Sequence, residues 1–336
     1  MLGGAIGDAL GWPVEFLRLS EIKDKYGELG ITELLTDTNE KAEITDDTQM
    51  TLFTAEGILC SEIIKVQEGE CNPTDSVYFS YLRWLYTQGH PQNEEYIQIY
   101  NGWLLSIKEL HESRQPGMSC LLSLLSGKRG GVSRPINNSK GCGGVMRVAP
   151  VGLFYSKTTA FKLAADFASL THGHPTGYLS AAALAYIIAS IIEGNEIDIA
   201  VNDVIIVLRE WDKSQECVDV LKKVLDVYTK DIHYEKAISM LGEGWIGEEA
   251  LAIAVYCAMK FKNNFRSAII AAVNHNGDSD STGAITGNIL GAYLGLNEIP
   301  TEWQDKVELK NEIIQIADDL LNGYKKNYDW KKRYPT

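Results

Sequence analysis

Asn274-His275-Asn276-Gly277-Asp278-Ser279-Asp280-Ser281-Thr282-Gly283 is the stretch on which the reading of this chain turns. Asp278, Asp280, Ser281 and Thr282 set two carboxylates and two hydroxyls close together, between Gly277 and Gly283. Residues 284–296 follow as an apolar run, with Gly283, Gly287 and Gly291 spaced along one helix face. The acidic cluster is therefore expected in a loop at a helix N-terminus. Asp and Ser cap helices well there, and the positive end of the dipole offsets part of their charge. One cap accounts for one aspartate. It does not account for Asp278 and Asp280 together beside Ser281 and Thr282. Hard oxygen donors set this close are what Mg²⁺, Mn²⁺ or Ca²⁺ requires. The stretch reads either as a polar turn with an N-cap or as half of a metal site.

A second cluster repeats the composition. Thr45-Asp46-Asp47-Thr48-Gln49-Met50 precedes a helical pattern carrying Leu52, Phe53, Ala55, Ile58 and Leu59. Asp46 and Gln49 are spaced for a capping box. Again a single aspartate would suffice as a cap. Two such clusters, each at an expected helix start, point to one shared site for divalent ions. Residues 45 and 280 would then meet in space. The chain, residues 1–336, would be a single domain closed by its two ends.

Composition limits the partners. The net charge of −14 leaves no basic excess to neutralise phosphates, which argues against nucleic acid and against an anionic membrane surface. A small anionic ligand stays open if metal ions and backbone N–H groups supply positive potential. The six cysteines are scattered without a C-x-x-C pair, and they read as reduced, mostly core residues of a cytoplasmic protein. Met1-Leu2-Gly3-Gly4-Ala5 has no basic n-region, so no signal peptide is expected. The longest nearly apolar run, residues 179–192, is shorter than a bilayer span and suits a buried helix.

Helical patterning dominates the rest. Residues 3–12 are small and apolar, as a tightly packed helix would be, and Pro13 should end it. Glu15 then falls in a loop, where a carboxylate is either merely solvated or set at the mouth of a site. A short strand is expected over residues 31–35. Helices are expected over 74–88, 94–110, 157–170, 176–193, 198–211, 216–229, 247–262 and 302–325, with a break at Gly89-His90-Pro91. The aromatic residues of 74–110 read as core and groove lining. Gly130 to Arg147 is the most loop-like part, and its Gly141-Cys142-Gly143-Gly144 run is neither a P-loop nor a dinucleotide fingerprint. Such glycines let a backbone approach an anion, or they make an ordinary connection. His172 and His174 form an H-x-H pair. The other ligand candidates are all oxygens, so His172 reads as a hydrogen-bonding residue, not a zinc ligand. Glu248 and Glu249 are expected to favour a helix start without further role. The fold class expected is all-α.

Taken together, the motifs resemble the ADP-ribosylglycohydrolase family, the group related to dinitrogenase reductase-activating glycohydrolase. The matching pieces are Gly7-Asp8-Ala9-Leu10-Gly11 with Pro13 and Glu15, Thr45-Asp46-Asp47-Thr48, Gly141-Cys142-Gly143-Gly144-Val145-Met146-Arg147, Thr171-His172, and Gly277-Asp278-Ser279-Asp280-Ser281. They occur in the family order. The resemblance implies an all-α, single-domain fold with two divalent cations, Mg²⁺ or Mn²⁺, in a cleft. The implied metal ligands are Thr45, Asp46, Asp47, Asp278, Asp280 and Ser281. The implied catalytic acids are Glu15, Asp47 and Asp278. Gly141, Cys142, Gly143, Gly144, Met146 and His172 match positions that hold ADP-ribose. Cys142 stands where some relatives carry Asn, and Ser281 where some carry Thr. The chain begins almost at the first motif, and it is read as lacking the extension that immunity-type members carry. The implied activity is hydrolysis of the glycosidic bond joining ADP-ribose to an acceptor. The partner would be an ADP-ribosylated protein or a small ADP-ribose conjugate, with ADP-ribosyl-arginine placed first. Two other readings stand beside it: a non-catalytic ADP-ribose-binding protein, and a metal-dependent nucleotide pyrophosphohydrolase or phosphatase.

Overall fold

The computed structural model describes residues 1–325 and 328–334. Helical periodicity in the sequence becomes helix along most of it. The first half holds α1 (Leu2–Gly11), α2 (Leu19–Tyr26), α3 (Asp46–Glu68), α4 (Pro73–Thr87), α5 (Met118–Leu125), α6 (Ala149–Phe154) and α7 (Lys157–Ser169). The second holds α8 (Pro175–Ile192), α9 (Ile197–Leu208), α10 (Gln215–Tyr228), α11 (Tyr234–Leu241), α12 (Gly247–Lys260) and α13 (Phe265–Val273). The chain closes with α14 (Ser279–Leu294), α15 (Thr301–Lys306), α16 (Lys310–Asn322) and α17 (Tyr328–Arg333). Among the described residues there is no strand, only isolated bridges such as Ala42 to Val307. The all-α expectation holds.

At the centre lies α8, packed on α6, α7, α9 and α12. By length and composition it is apolar enough to cross a bilayer, yet 89% of it is buried within the bundle. The run over 179–192 lies within the helix expected over 176–193, and it is buried, as expected.

What positions the site is the pairing of α1 with α14. The glycines at Gly3, Gly7 and Gly11 face Gly287, Gly283 and Ser279 respectively. A Cβ at Gly7 would overlap the Gly283 carbonyl, and one at Gly287 would overlap that of Gly3. Two backbones this close leave no room for a side chain between them. The order of the contacts makes the helices antiparallel, so the C-terminal end of α1 lies beside the N-terminal end of α14. Gly7→Ala should therefore lower the unfolding free energy by about 3 kcal/mol, the upper part of the overpacking range. A urea midpoint equal to wild type at constant m would show that the helices can separate without cost.

Three local expectations are corrected. Residues 31–35 are not a strand. Ile31 spends both backbone groups on Asn274, whose Oδ1 accepts from its N–H at 2.8 Å and whose Nδ2 donates to its carbonyl at 2.9 Å. Residues 94–110 are not one helix but three short 3₁₀ turns, Glu94–Ile99, Leu104–Ser106 and Lys108–His111. Tyr96 has non-helical angles, and Gly102 lies at φ 110°. The Trp103 N–H leaves the local ladder for the carbonyl of Arg333 at 3.0 Å. Residues 302–325 break into α15 and α16, because Lys306 and Glu308 pair with the Ala42 backbone and Leu309 turns left-handed at φ 55°.

Candidate metal centre and ligand cleft

The antiparallel pairing brings two distant motifs together. Beyond α1, Trp12–Val14 forms a 3₁₀ turn with Pro13 in its first positions, and Glu15 follows it. Asp278 is the N-cap of α14, its Oδ1 accepting from the Ser281 N–H at 3.3 Å. The result is that carboxylate oxygens of Glu15, Asp278 and Asp280 lie within 4.8 Å of one another.

The third element is the start of α3, and Asp8 holds it there. Asp8 is fully buried in α1, and its carboxylate accepts from the Thr45 N–H at 3.0 Å and the Thr48 N–H at 3.2 Å. Thr48 Oγ1 donates to the same carboxylate at 2.5 Å. A carboxylate from another helix thus serves the open donors of the α3 N-terminus. Thr45 is the N-cap, its Oγ1 accepting weakly from the Asp47 N–H at 3.3 Å and lying 3.5 Å from Asp280 Oδ2. The expected capping box of Asp46 and Gln49 does not form. Asp46 is already inside the first turn, and its Oδ2 accepts from the Gly117 N–H at 3.0 Å. Gln49 turns away to accept from Trp84 Nε1 at 3.1 Å.

Burial and mutual repulsion dominate the electrostatics. Burial first, then the charges of Asp278, Asp46 and Asp8, push the Glu15 carboxyl up to about 8. Burial above all pushes Asp46 up to about 8. Asp47 and Asp280 are raised well above the carboxylate range, burial leading and neighbouring carboxylates adding to it. Asp47 Oδ1 and Glu15 Oε2 are buried without a hydrogen-bond partner. Buried carboxylates left unpaired are costly unless a cation joins them. Hard oxygens, two orphaned atoms and the 4.8 Å clustering suit a hard divalent cation.

A cleft of about 230 Å³ opens over these acids. Its lining includes Glu15, Asp46, Asp47, Asp278, Asp280 and Ser281, together with Gly141, Cys142, Gly143, Met146 and His172. Thr45 faces an adjoining groove that shares Gln115 with the cleft. Gly144 is buried and does not line the cleft. A roomier groove of about 560 Å³, beside Lys65, Tyr155 and Lys162, contains neither acid cluster, so chemistry and not volume selects the smaller cleft.

Below the glycine loop lies His172. Its Nδ1 pairs with Thr171 Oγ1 at 2.9 Å, and Arg147 Nη2 donates to that hydroxyl at 2.6 Å. Burial, and then Arg147, push the imidazole down to about 3, so it is neutral. A Cβ at Gly143 would stand 3.1 Å from the His172 ring and from Cys120 Sγ, which is why the loop is bare there. His174 instead caps α8, accepting from the Thr176 N–H. The two imidazoles of the H-x-H pair thus serve different structural partners. Two of the loop's four N–H groups are already engaged: Gly141 donates to Ser139 Oγ at 3.3 Å, and Cys142 donates to the Trp245 carbonyl at 3.2 Å. Of the other two, only Gly143 lines the cleft. Cys142 Sγ donates to Asp278 Oδ2 at 2.7 Å, and burial pushes its thiol up, so it acts as a neutral donor.

The sequence reading missed three contributors. Asp8 was part of a motif without a role, although an aspartate in a helix of glycine and alanine is itself a signal. Gln115 and Gly117 line the cleft ahead of α5, with Met118, Ser119 and Cys120 from its first turn, and Gln115 holds a left-handed φ of 56°. Trp245 reaches the same cleft from the turn before α12.

Comparison with known proteins agrees with this architecture. An uncharacterised protein of Archaeoglobus fulgidus is 29% identical over 328 residues, covering 95% of this chain and 94% of its own length. The ADP-ribosyl-[dinitrogen reductase] glycohydrolase of Rhodospirillum rubrum is 25% identical, covering 95% and 93%. ADP-ribosylarginine hydrolase Tri1 of Serratia proteamaculans is 26% identical, covering 96% of this chain and 77% of that protein. A solved ADP-ribosylglycohydrolase-related protein complex shares the fold at a TM-score of 0.65 and 23% identity, over 96% of this chain and 95% of the other. The ADP-ribosylglycohydrolase family model matches residues 1–330, and with the fold and the cleft described above this chain belongs to the ADP-ribosylglycohydrolase family.

Proposed function

We propose that the cleft hydrolyses the bond between the distal ribose anomeric carbon of ADP-ribose and an acceptor, with arginine as the first acceptor. Family membership and the named relatives support ADP-ribosyl hydrolase activity. The observation that carries the reading is the convergence of Glu15, Asp278 and Asp280, within 4.8 Å, at one end of the α1–α14 pair. The name of the Serratia relative supports arginine. The whole chain acts as one unit in this reading, because one hydrophobic core runs from Leu2 to Tyr334.

Thr45, Asp46, Asp47, Asp278, Asp280 and Ser281 would hold two divalent cations, Mg²⁺ or Mn²⁺, whose positive charge when bound orients the distal ribose hydroxyls and makes a water more acidic. The chain's own residues do the rest. Glu15 carries or removes a proton at the scissile bond. Asp47 and Asp278 present negative charge toward a transition state with oxocarbenium character. The neutral His172 and the Gly141–Gly144 loop with Met146 contact the ligand and limit its freedom. Cys142 keeps Asp278 in place through its thiol.

The deciding experiment is a turnover panel of ADP-ribosyl-arginine, ADP-ribosyl-serine and O-acetyl-ADP-ribose, with Mg²⁺ or Mn²⁺ and with chelator. Release of free ADP-ribose supports the reading. Phosphate or AMP release would make the protein a nucleotide hydrolase, and tight ADP-ribose binding without turnover would make it a binding protein. Within the panel, Asp278→Asn should lower kcat by about 10²-fold while calorimetric affinity for ADP-ribose changes little, if the carboxylate serves chemistry more than docking. Equal losses in both would reduce Asp278 to a docking role.

A further inference from the structure

Trp245 lines the cleft, and Phe16, the residue after Glu15, stacks on it. Phe16 is 67% exposed and Trp245 is 39% exposed. They stack with centroids 5.8 Å apart and planes 19° from parallel. Neither ring belongs to the core, and a large exposed aromatic pair beside a cleft calls for an explanation.

Both rings are held in register with the acids. Phe16 directly follows Glu15 on the turn beyond α1. Trp245 lines the cleft beside Glu15 and Asp278, and its carbonyl is bonded to the Cys142 N–H at 3.2 Å. Gly244, just before it, lies at φ +87°, and a Cβ there would stand 3.3 Å from Asp278 Cβ. The turn is anchored again where the Asp278 N–H meets the Glu243 carbonyl at 2.8 Å. The platform and the acids therefore share one rigid frame.

We propose that the Phe16–Trp245 pair recognises the acceptor, and that the acceptor it takes is a guanidinium, the side chain of an ADP-ribosylated arginine. This rests on the reading of the cleft as an ADP-ribosyl hydrolase site. Ring faces carry negative quadrupole charge and attract cations, Trp most strongly. A guanidinium is planar and weakly hydrated, so it stacks on such a face better than a compact ammonium does. The chain as a whole carries −14, which favours a cationic acceptor over a neutral one. A serine or ester acceptor brings no cation and gains little from any of this.

The test is the ratio of kcat/KM for ADP-ribosyl-arginine to that for O-acetyl-ADP-ribose, measured for wild type, Trp245→Ala, Trp245→Tyr and Phe16→Ala. The arginine-over-ester ratio should fall about tenfold in Trp245→Ala and several-fold in Phe16→Ala, the size of a partly desolvated cation–π contact. Trp245→Tyr, which keeps a ring, should restore most of it. An unchanged ratio in both alanine variants overturns the proposal. So do equal losses on both substrates accompanied by weaker binding of free ADP-ribose, which would make the pair a platform for adenine. Wild-type protein that hydrolyses neither substrate is a separate outcome: it removes the reading of the cleft itself, and the acceptor assignment with it.

Discussion

Glu15→Gln should lower kcat by about 10²–10⁴-fold, the usual worth of a positioned acid–base group, while metal content and ADP-ribose affinity stay near wild type. The expectation comes from where the chain puts this residue. Pro13 cannot continue α1 in the ordinary way, and the 3₁₀ turn Trp12–Val14 carries Glu15 over the N-terminal end of α14. Its Oε2 is buried without a partner. Burial, then the charges of Asp278, Asp46 and Asp8, raise the carboxyl to about 8. A carboxyl so placed keeps its proton near neutral pH and can give it to a leaving group. Gln keeps the shape and the hydrogen-bonding reach and removes only the proton chemistry. The same geometry offers a competing role, since Glu15 lies within 4.8 Å of Asp278 and Asp280 and could serve as a ligand. Metal content separates the two. If Glu15→Gln loses an ion, the residue is a ligand, and the acid–base role passes to Asp47 or Asp278.

How much of this was legible in the sequence follows from the range of the forces involved. Helix periodicity is local, so 157–170 and 176–193 were readable and correspond to α7 and α8. The two acid clusters were readable because each exceeds what a helix start needs. Thr45 and Asp280 do approach, at 3.5 Å. What failed was decided by distant partners. No local pattern announces that Asn274 satisfies Ile31, that Ala42 interrupts the helix after Lys306, or that Trp103 bonds to Arg333. Each of these diverts backbone groups from the structure that the neighbouring residues would otherwise favour.

The site shows the same division. Asp278, Asp280 and Asp46 could be named because carboxylates in pairs are unusual. The role of Asp8 could not, because it depends on the α3 N-terminus lying beside α1. Trp245 sits more than two hundred residues from Glu15, and only the Cys142–Trp245 bond and the Phe16 stack reveal that it shares their cleft. The glycine run says only that four backbone N–H groups could face an anion or make an ordinary connection. The side chain of Ser139 and the carbonyl of Trp245 had already claimed two of them.

Asp280→Asn should make the metal-free protein more stable at pH 8 and abolish its stabilisation by Mg²⁺ or Mn²⁺. Asp280 is raised well above its ordinary value of 3.8, by burial first and then by Asp47 and Asp278. Asp46 and Glu15 are raised to about 8. In the metal-free state the folded protein therefore holds more protons than the unfolded chain. Stability must then fall as pH rises, from near 4, where unfolded carboxyls titrate, toward 8, where the folded ones do. A divalent cation reverses the balance, because it binds the ionised carboxylates of the folded state and displaces their protons. At about 100 times the dissociation constant it would add about 2.7 kcal/mol, or about 4 °C in Tm for a chain of this size. That gain should be largest at the alkaline end and small near pH 5. The asparagine removes one charge from the cluster and one ligand from the site. Its metal-free Tm should exceed wild type at pH 8 and match it near pH 5, and its metal-dependent shift should vanish. Thermal melts over this range, with and without Mn²⁺, read every term. A variant that keeps the metal shift would show that Asp280 is not a ligand, and a wild-type Tm that rises with pH without metal would show that the buried acids are already compensated by the fold.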